Sequence, residues 1–250
     1  MVGEARRILA NISAEQPCRT SSVACRVCTA PVDGYPRCIN CNRHRNEAED
    51  PSELADLVVP LAYAWEGQSQ LGKDVYSYKR DKGRRAERAI ANLAALVYSF
   101  QAVHAECPGR YLGHPVSAKA VMPSLRGNSG VTLVQMAQNF LPQTWPLITI
   151  SATGVYGDAG RSLDPAHFRV DRPASVRGKH VLVLDDTWVT GAHAQSLAIA
   201  LRRAGAARIT VLPICRLLSP TWNANVNYRD SKHRRLWSAD TCPVTGDVCP

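Results

Sequence analysis

The sequence predicts an α/β fold: a parallel sheet flanked by helices, with a small N-terminal cysteine module ahead of it. Three observations carry that reading. The run Val181-Leu182-Val183-Leu184 is continuously apolar, the pattern of a strand covered on both faces. Leu197, Ala198, Leu201 and Ala204 then recur at helical spacing, Gly205 stops that helix, and residues 207–215 form a second apolar strand. Strand, helix and strand of these lengths make a βαβ unit, which implies parallel pairing and a right-handed crossover. Finally, Cys25, Cys28, Cys38 and Cys41 stand as two Cys-x2-Cys pairs with nine residues between them.

Along the chain, residues 1–17 read as a peripheral helix. The cysteine module occupies about 18–45 and ends in a polar stretch, Asn42 to Asp50, so that residues 1–50 form one unit. A larger α/β domain follows over 51–220. In it, Ile90, Leu93, Val97, Phe100 and Val103 mark one face of a helix within Arg84–Glu106. Residues 117–123 read as a short strand, with Val121 and Met122 before Pro123. Leu133, Met136, Ala137 and Phe140 form a second helical stripe, and Leu147 to Ile150 is extended. Residues 153–175, with Gly154, Gly157, Gly160, Pro165 and Pro173, read as one long loop, and long loops in compact domains are often lids. Residues 221–250 are polar, aromatic and basic, suited to pack as a cover or to stay mobile.

Composition narrows the class. With 45% hydrophobic and 20% charged residues over 250 positions, the chain matches neither a disordered nor a fibrous protein. No apolar run approaches the ~18 residues needed to span a bilayer; the longest, Leu57 to Trp65, is broken by Pro60. The first 16 residues make a poor signal peptide, so the expectation is a soluble protein of the cytoplasm with no membrane partner. The net charge of +9 attracts polyanions, whether nucleic acid, phosphorylated small molecules or anionic membranes, and also serves solubility.

Nine cysteines is an odd number, which argues against a disulfide framework. The four in the paired module suit a tetrahedral structural zinc, in a zinc-ribbon-like arrangement whose four thiolates leave no open position. Cys18 and His44 flank it as spare ligands. Cys107 and Cys215 lie among apolar residues and read as buried hydrophobes. Cys242 and Cys249 either ligate a second ion or belong to a loose tail, and the tail is the preferred reading.

The chemistry concentrates in Val181-Leu182-Val183-Leu184-Asp185-Asp186-Thr187-Trp188-Val189-Thr190-Gly191. An inner strand ends in two carboxylates, and a short loop then opens a helix near Ala192. Ligands of open α/β sheets bind beyond the carboxyl ends of the strands. The helix start offers unpaired N–H groups and a partial positive charge of about +0.5. Thr187 and Thr190 add hydroxyls, and Gly191 lets the backbone approach closely, all of which suits a phosphate monoester. Two aspartates repel phosphate. They suit vicinal hydroxyls or Mg2+ instead. A phosphate beside two hydroxyls is a ribose 5-phosphate.

This segment resembles the phosphoribosyl-diphosphate (PRPP) motif of the type I phosphoribosyltransferases, and a cysteine module ahead of such a domain resembles the ComF family in particular. The resemblance spans roughly residues 20–220 in layout. It implies a type I phosphoribosyltransferase-like parallel sheet and a glycosyltransferase acting on PRPP and Mg2+. That enzyme would pass ribose 5-phosphate to a nitrogen of a nucleobase or amine and release diphosphate. Asp185 and Asp186 would hold the ribose hydroxyls, and Thr187, Trp188, Val189, Thr190, Gly191, Ala192 and His193 would wrap the 5-phosphate. Arg126, in Met122-Pro123-Ser124-Leu125-Arg126-Gly127, would clamp the pyrophosphate. Lys79, in Tyr76-Ser77-Tyr78-Lys79, matches a lysine that follows an aromatic-rich strand. Asp185, Asp186, Arg126 and Lys79 are thus the implied catalytic set. Two departures stand out: His193 where the family has a hydroxyl, and the bulky Trp188 in the phosphate loop.

Two other classes stay open. One is a PRPP-binding sensor or adaptor without turnover. The other is a nucleic-acid handler, which the resemblance links to DNA uptake in competent bacteria. Arg19, Arg26, Arg37, Arg43 and Arg45 surround the module and suit phosphate contacts, with only Tyr35 interleaved for stacking. Members of the family often associate, so a homo-oligomer is expected.

Overall fold

In a computed structural model, residues 2–125, 131–154 and 162–250 are described. Their elements are α1 (Val2–Asn11), α2 (Ile39–Glu47), β1 (Leu57–Val58), β2 (Ala62–Trp65), α3 (Gln70–Arg80), α4 (Arg84–His104), α5 (Cys107–Leu112), β3 (Val116–Val121), α6 (Val131–Phe140), β4 (Leu147–Ile148), β5 (Ile150–Ala152), β6 (Phe168–Val170), β7 (His180–Trp188), α7 (Ala192–Arg203), β8 (Arg208–Leu218) and α8 (Asn223–Arg229).

The main sheet runs β1-β8-β7-β3-β4, with β2 also on β8, and every pair in it is parallel. β1 and β2 act as one edge strand interrupted at Pro60. Val59 donates to the Val211 carbonyl (2.8 Å) and Leu61 to that of Pro213 (3.0 Å), while Pro60 has no N–H to donate. A second, antiparallel ribbon pairs β5 with β6.

Alternation along β7 sorts its side chains onto two faces. Leu182 and Leu184 enter a core with Leu133, Met136 and Ala137 of α6, Leu93, Leu96 and Phe100 of α4, and Leu71 and Val75 of α3. Val181 and Val183 enter the opposite core with Leu197, Ala198 and Leu201 of α7 and with Phe168 and Val170 of β6. Helices therefore cover both faces, and a side chain here gains roughly 1.5–3 kcal/mol from full burial. From β3 the chain moves outward to β4, whereas from β7 it moves the other way to β8. The carboxyl ends of β3 and β7 thus flank the reversal of strand order, where such sheets open a crevice.

Three expectations need correction, and one open choice is decided. β7 does not end at the acid pair. Its pairing continues through Asp185 opposite Pro213, Thr187 opposite Cys215 and Trp188 opposite Arg216, so only residues 189–191 separate strand from helix. Residues 153–175 are not one long loop. Phe168–Val170 is a strand that buries Phe168 and Val170, with short 3-10 turns at Pro165–His167 and Pro173–Ser175. Residues 155–161 lie outside the described residues. Lys79 stands near the end of helix α3 rather than after a strand: Ser69 caps that helix by accepting from Gly72 N (3.0 Å), and Leu71 and Val75, four apart, bury its inner face. Of the two readings of residues 221–250, the packed cover is the one seen. These residues form α8 and then pack Ala239, Cys242 and Val244 into buried positions.

The start of α3 sits hard against the end of β2, and a Cβ at Gly72 would overlap the Trp65 carbonyl oxygen. Gly72→Ala is accordingly expected to cost about 1–3 kcal/mol by overpacking. A urea midpoint equal to that of the parent protein would contradict this close approach.

The edge of β2 is covered from both ends of the sequence. Tyr63 donates its N–H to the Glu15 carbonyl (2.9 Å), and Glu15 bridges Leu236 on its other side. The buried Glu15 carboxylate accepts from Trp65 Nε1 (3.0 Å) and from Arg234 Nη2 (2.6 Å).

Candidate functional site

The cysteine module is shaped by two tight turns. Ser22 and Thr29 take positive φ (67° and 60°), Cys25 donates its N–H to the Ala30 carbonyl (2.8 Å), and Arg26 donates to that of Pro36 (3.1 Å). Cys38 immediately precedes α2 and Cys41 lies on its first turn. This geometry gathers the four Sγ atoms of Cys25, Cys28, Cys38 and Cys41 within 4.8 Å of one another. Cys28 and Cys38 stand 3.6 Å apart. Sharing with the Cys25 sulfur first, then with others, and burial besides, hold the Cys28 and Cys41 thiols well above their usual range. A soft divalent cation displaces those protons, and four thiolates close its shell, so the set is compatible with a structural zinc. Cys18 and His44 are not part of this cluster.

The module rests on the sheet at the end of β7. Cys25, Cys28, Ala30, Val32 and Cys41 share one apolar cluster with Trp188, Val58, Ala194 and Val211. Trp188 is 1% exposed. Its indole lies beneath Gly191, where a Cβ would overlap the ring, and Gly191 takes φ +90° as the residue before α7. The bulk that looked unsuited to a phosphate loop therefore points down into the module and leaves the outer face of the turn free of it. Arg216, buried opposite Trp188 on β8, fixes the same turn. Its Nη1 donates to the carbonyls of Trp188 (2.8 Å), Val189 (2.8 Å) and Leu217 (2.7 Å), and its charge faces Cys28.

Above this floor, Val189 is exposed, Thr187, Thr190 and His193 are half-buried, and Gly191 and Ala192 are buried. Thr190 Oγ1 accepts weakly from Ala192 N (3.5 Å). Ser196, one turn further, accepts from Asp164 N (2.8 Å) and so ties the segment after residue 161 to this helix.

The acid pair lies near the end of β7, two residues short of Trp188. Asp185 and Asp186 are each 8% exposed. Asp185 Oδ1 accepts the Asp186 N–H (2.9 Å). Asp186 Oδ2 accepts from the Tyr78 hydroxyl and forms an ion pair with Lys79 Nζ. Burial, then the charge of Asp186, push the Asp185 carboxyl well above the usual carboxylate range, against a pull from Lys79. Burial, then Asp186, likewise raise the Tyr78 phenol far above its ordinary value and keep it a donor. The pair offers hard oxygen acceptors at a site where two donors from α3 already balance part of the charge.

The structure thus brings Lys79 to Asp186 and runs residues 187–193 from the acid pair into the first turn of α7. Arg126 lies outside the described residues. Among the arginines around the module, Arg19 is committed to the backbone, donating to Pro243 O (3.0 Å) and Val58 O (2.9 Å). Arg43 pairs with Glu47 at 3.7 Å. Sequence reasoning assigned no role to Tyr78 or Arg216. The signal for Arg216 was present: a lone charge inside the apolar run 209–218. Among the described residues no helix is long and apolar enough to cross a membrane. No protein-family model matches the chain, and no curated protein matches it.

Proposed function

We propose that this protein is a phosphoribosyltransferase of the ComF kind, binding PRPP with Mg2+ in the crevice at the ends of β3 and β7. The observation that carries the reading is one juxtaposition. A carboxylate pair lies near the carboxyl end of an inner parallel strand at the reversal of strand order, and only residues 189–191 separate the end of that strand from a glycine-led helix start. The turn 189–191 and the first amides of α7 receive the 5-phosphate, with Thr187 and Thr190 as hydroxyl donors. Asp185 and Asp186 receive the ribose hydroxyls, and their oxygens are also the donor type that Mg2+ prefers.

On this reading the residues act mainly by positioning and charge. Bound with the substrate, Mg2+ would offset charge on the diphosphate. The bond between the anomeric carbon and the diphosphate oxygen breaks, and a bond from the acceptor nitrogen to that carbon forms as the nitrogen loses a proton. Asp185 and Asp186 hold the sugar so that the carbon faces the acceptor, and their negative charge favours the cationic character it develops. Lys79 sets the charge and orientation of Asp186, a positioning role through its ion pair.

Calorimetric titration with PRPP and Mg2+ tests the proposal. Wild-type protein is expected to bind, and the double variant Asp185→Asn, Asp186→Asn to lose binding while keeping its far-ultraviolet dichroism. A wild-type protein that binds no PRPP overturns the reading. Diphosphate release in the presence of nucleobases, orotate or ammonia then names the acceptor; binding without release under every acceptor leaves a sensor rather than an enzyme.

A further inference from the structure

We infer that His104, Cys107, Cys242 and Cys249 form a second zinc site, separate from the four-cysteine module, that clamps the C-terminal segment to the corner between α4 and α5. His104 is the last residue of α4 and Cys107 the first of α5, so the bend between the helices aims both side chains at one point. Cys242 and Cys249 come from a closed turn. Gly246, at φ +85°, donates to the Cys242 carbonyl (2.8 Å), Cys242 N donates to Asp247 O (2.8 Å), and Thr245 Oγ1 donates to Val248 O (2.6 Å). The ligand atoms of all four residues lie within 4.8 Å of one another, with three of the residues buried and Cys249 exposed.

The histidine supplies the independent observation. His104 Nε2 lies 2.8 Å from the Ala239 carbonyl oxygen, which can only accept. Nε2 therefore carries the hydrogen, and the lone pair of Nδ1 points the other way. Nδ1 is 3.3 Å from Cys249 Sγ and 3.7 Å from Cys107 Sγ. An imidazole whose outer nitrogen is tied to a backbone carbonyl while the inner one faces thiols is the arrangement of a metal-ligating histidine. Three thiolates and one imidazole in a closed set select zinc over Mg2+ or Ca2+. This revises the reading of Cys107 as a mere buried hydrophobe and of Cys242 and Cys249 as a loose tail.

Metal analysis of the full chain, purified without a histidine tag and under reductant, decides the matter. Wild type is expected to carry two zinc ions per chain. Cys28→Ser and, separately, Cys242→Ser with Cys249→Ser are each expected to carry one. Cys249→Ser alone, altering the exposed ligand, covers the case in which the double variant fails to fold, and is expected to lose zinc to a weak chelator that spares wild type. Cobalt substitution adds a spectroscopic reading: the wild-type-minus-Cys249→Ser difference should show thiolate-to-cobalt charge transfer. One zinc in wild type, unchanged in the Cys249→Ser variant, overturns the inference, as does a disulfide joining any two of these cysteines in the reduced preparation. None of these readings depends on PRPP.

Discussion

Cys28→Ser is expected to strip the zinc from the four-cysteine module and to lower stability by more than ~4 kcal/mol, the range reached by loss of a structural metal. Cys28 is fully buried and shares its cluster with Trp188, Val58 and Val211. Losing the ion leaves a crowd of thiols that repel as they ionise, and it removes the support beneath residues 188–191. If the proposed function holds, the effect should reach the ligand site as well, with PRPP binding falling together with zinc content. Urea unfolding and metal analysis, both under reductant, check this. A metal-free protein as stable as the metal-bound one would show that the four thiols are not a metal cage.

The second large effect is expected at Trp188. Truncating a large, fully buried side chain to alanine costs about 3–5 kcal/mol through lost transfer energy and a cavity. Trp188→Ala should unfold at correspondingly lower urea and, on the proposed function, bind PRPP more weakly, because Gly191 then has no ring to rest on. Trp188→Phe refills part of the space and should recover part of both. An alanine variant with parental stability would mean that the indole does not fill the gap between the module and the turn.

Much of this architecture was legible because it depends on local pattern. The apolar run 181–184, the helical stripe 197–204 and the break at Gly205 each report a period or a stop that needs no distant partner. The two Cys-x2-Cys pairs are equally local. What escaped depends on pairing across the sheet. β7 extends through Asp186 and Trp188 because Pro213, Cys215 and Arg216 lie alongside, and nothing within residues 185–188 announces that neighbour. Strand β6, at 168–170, is fixed by β5 and by the inner face of α7, again a tertiary effect. Lys79 was recognised as a candidate, yet its helix was not, because the cap at Ser69 and the contact of Gly72 with Trp65 lie several residues upstream. His104 and Cys107 joined no motif in the sequence, since the cysteines that complete their set stand more than a hundred positions away.

The seam at Glu15 carries a consequence for biosynthesis. Glu15 and Arg234 are 219 positions apart, yet together with Leu236 they close the outer side of β2. A nascent chain cannot make this contact until residue 236 has emerged, and joining such remote segments is slow because the intervening loop must first be closed. In the meantime the growing polypeptide presents an uncovered strand, the kind of surface that invites pairing with other chains.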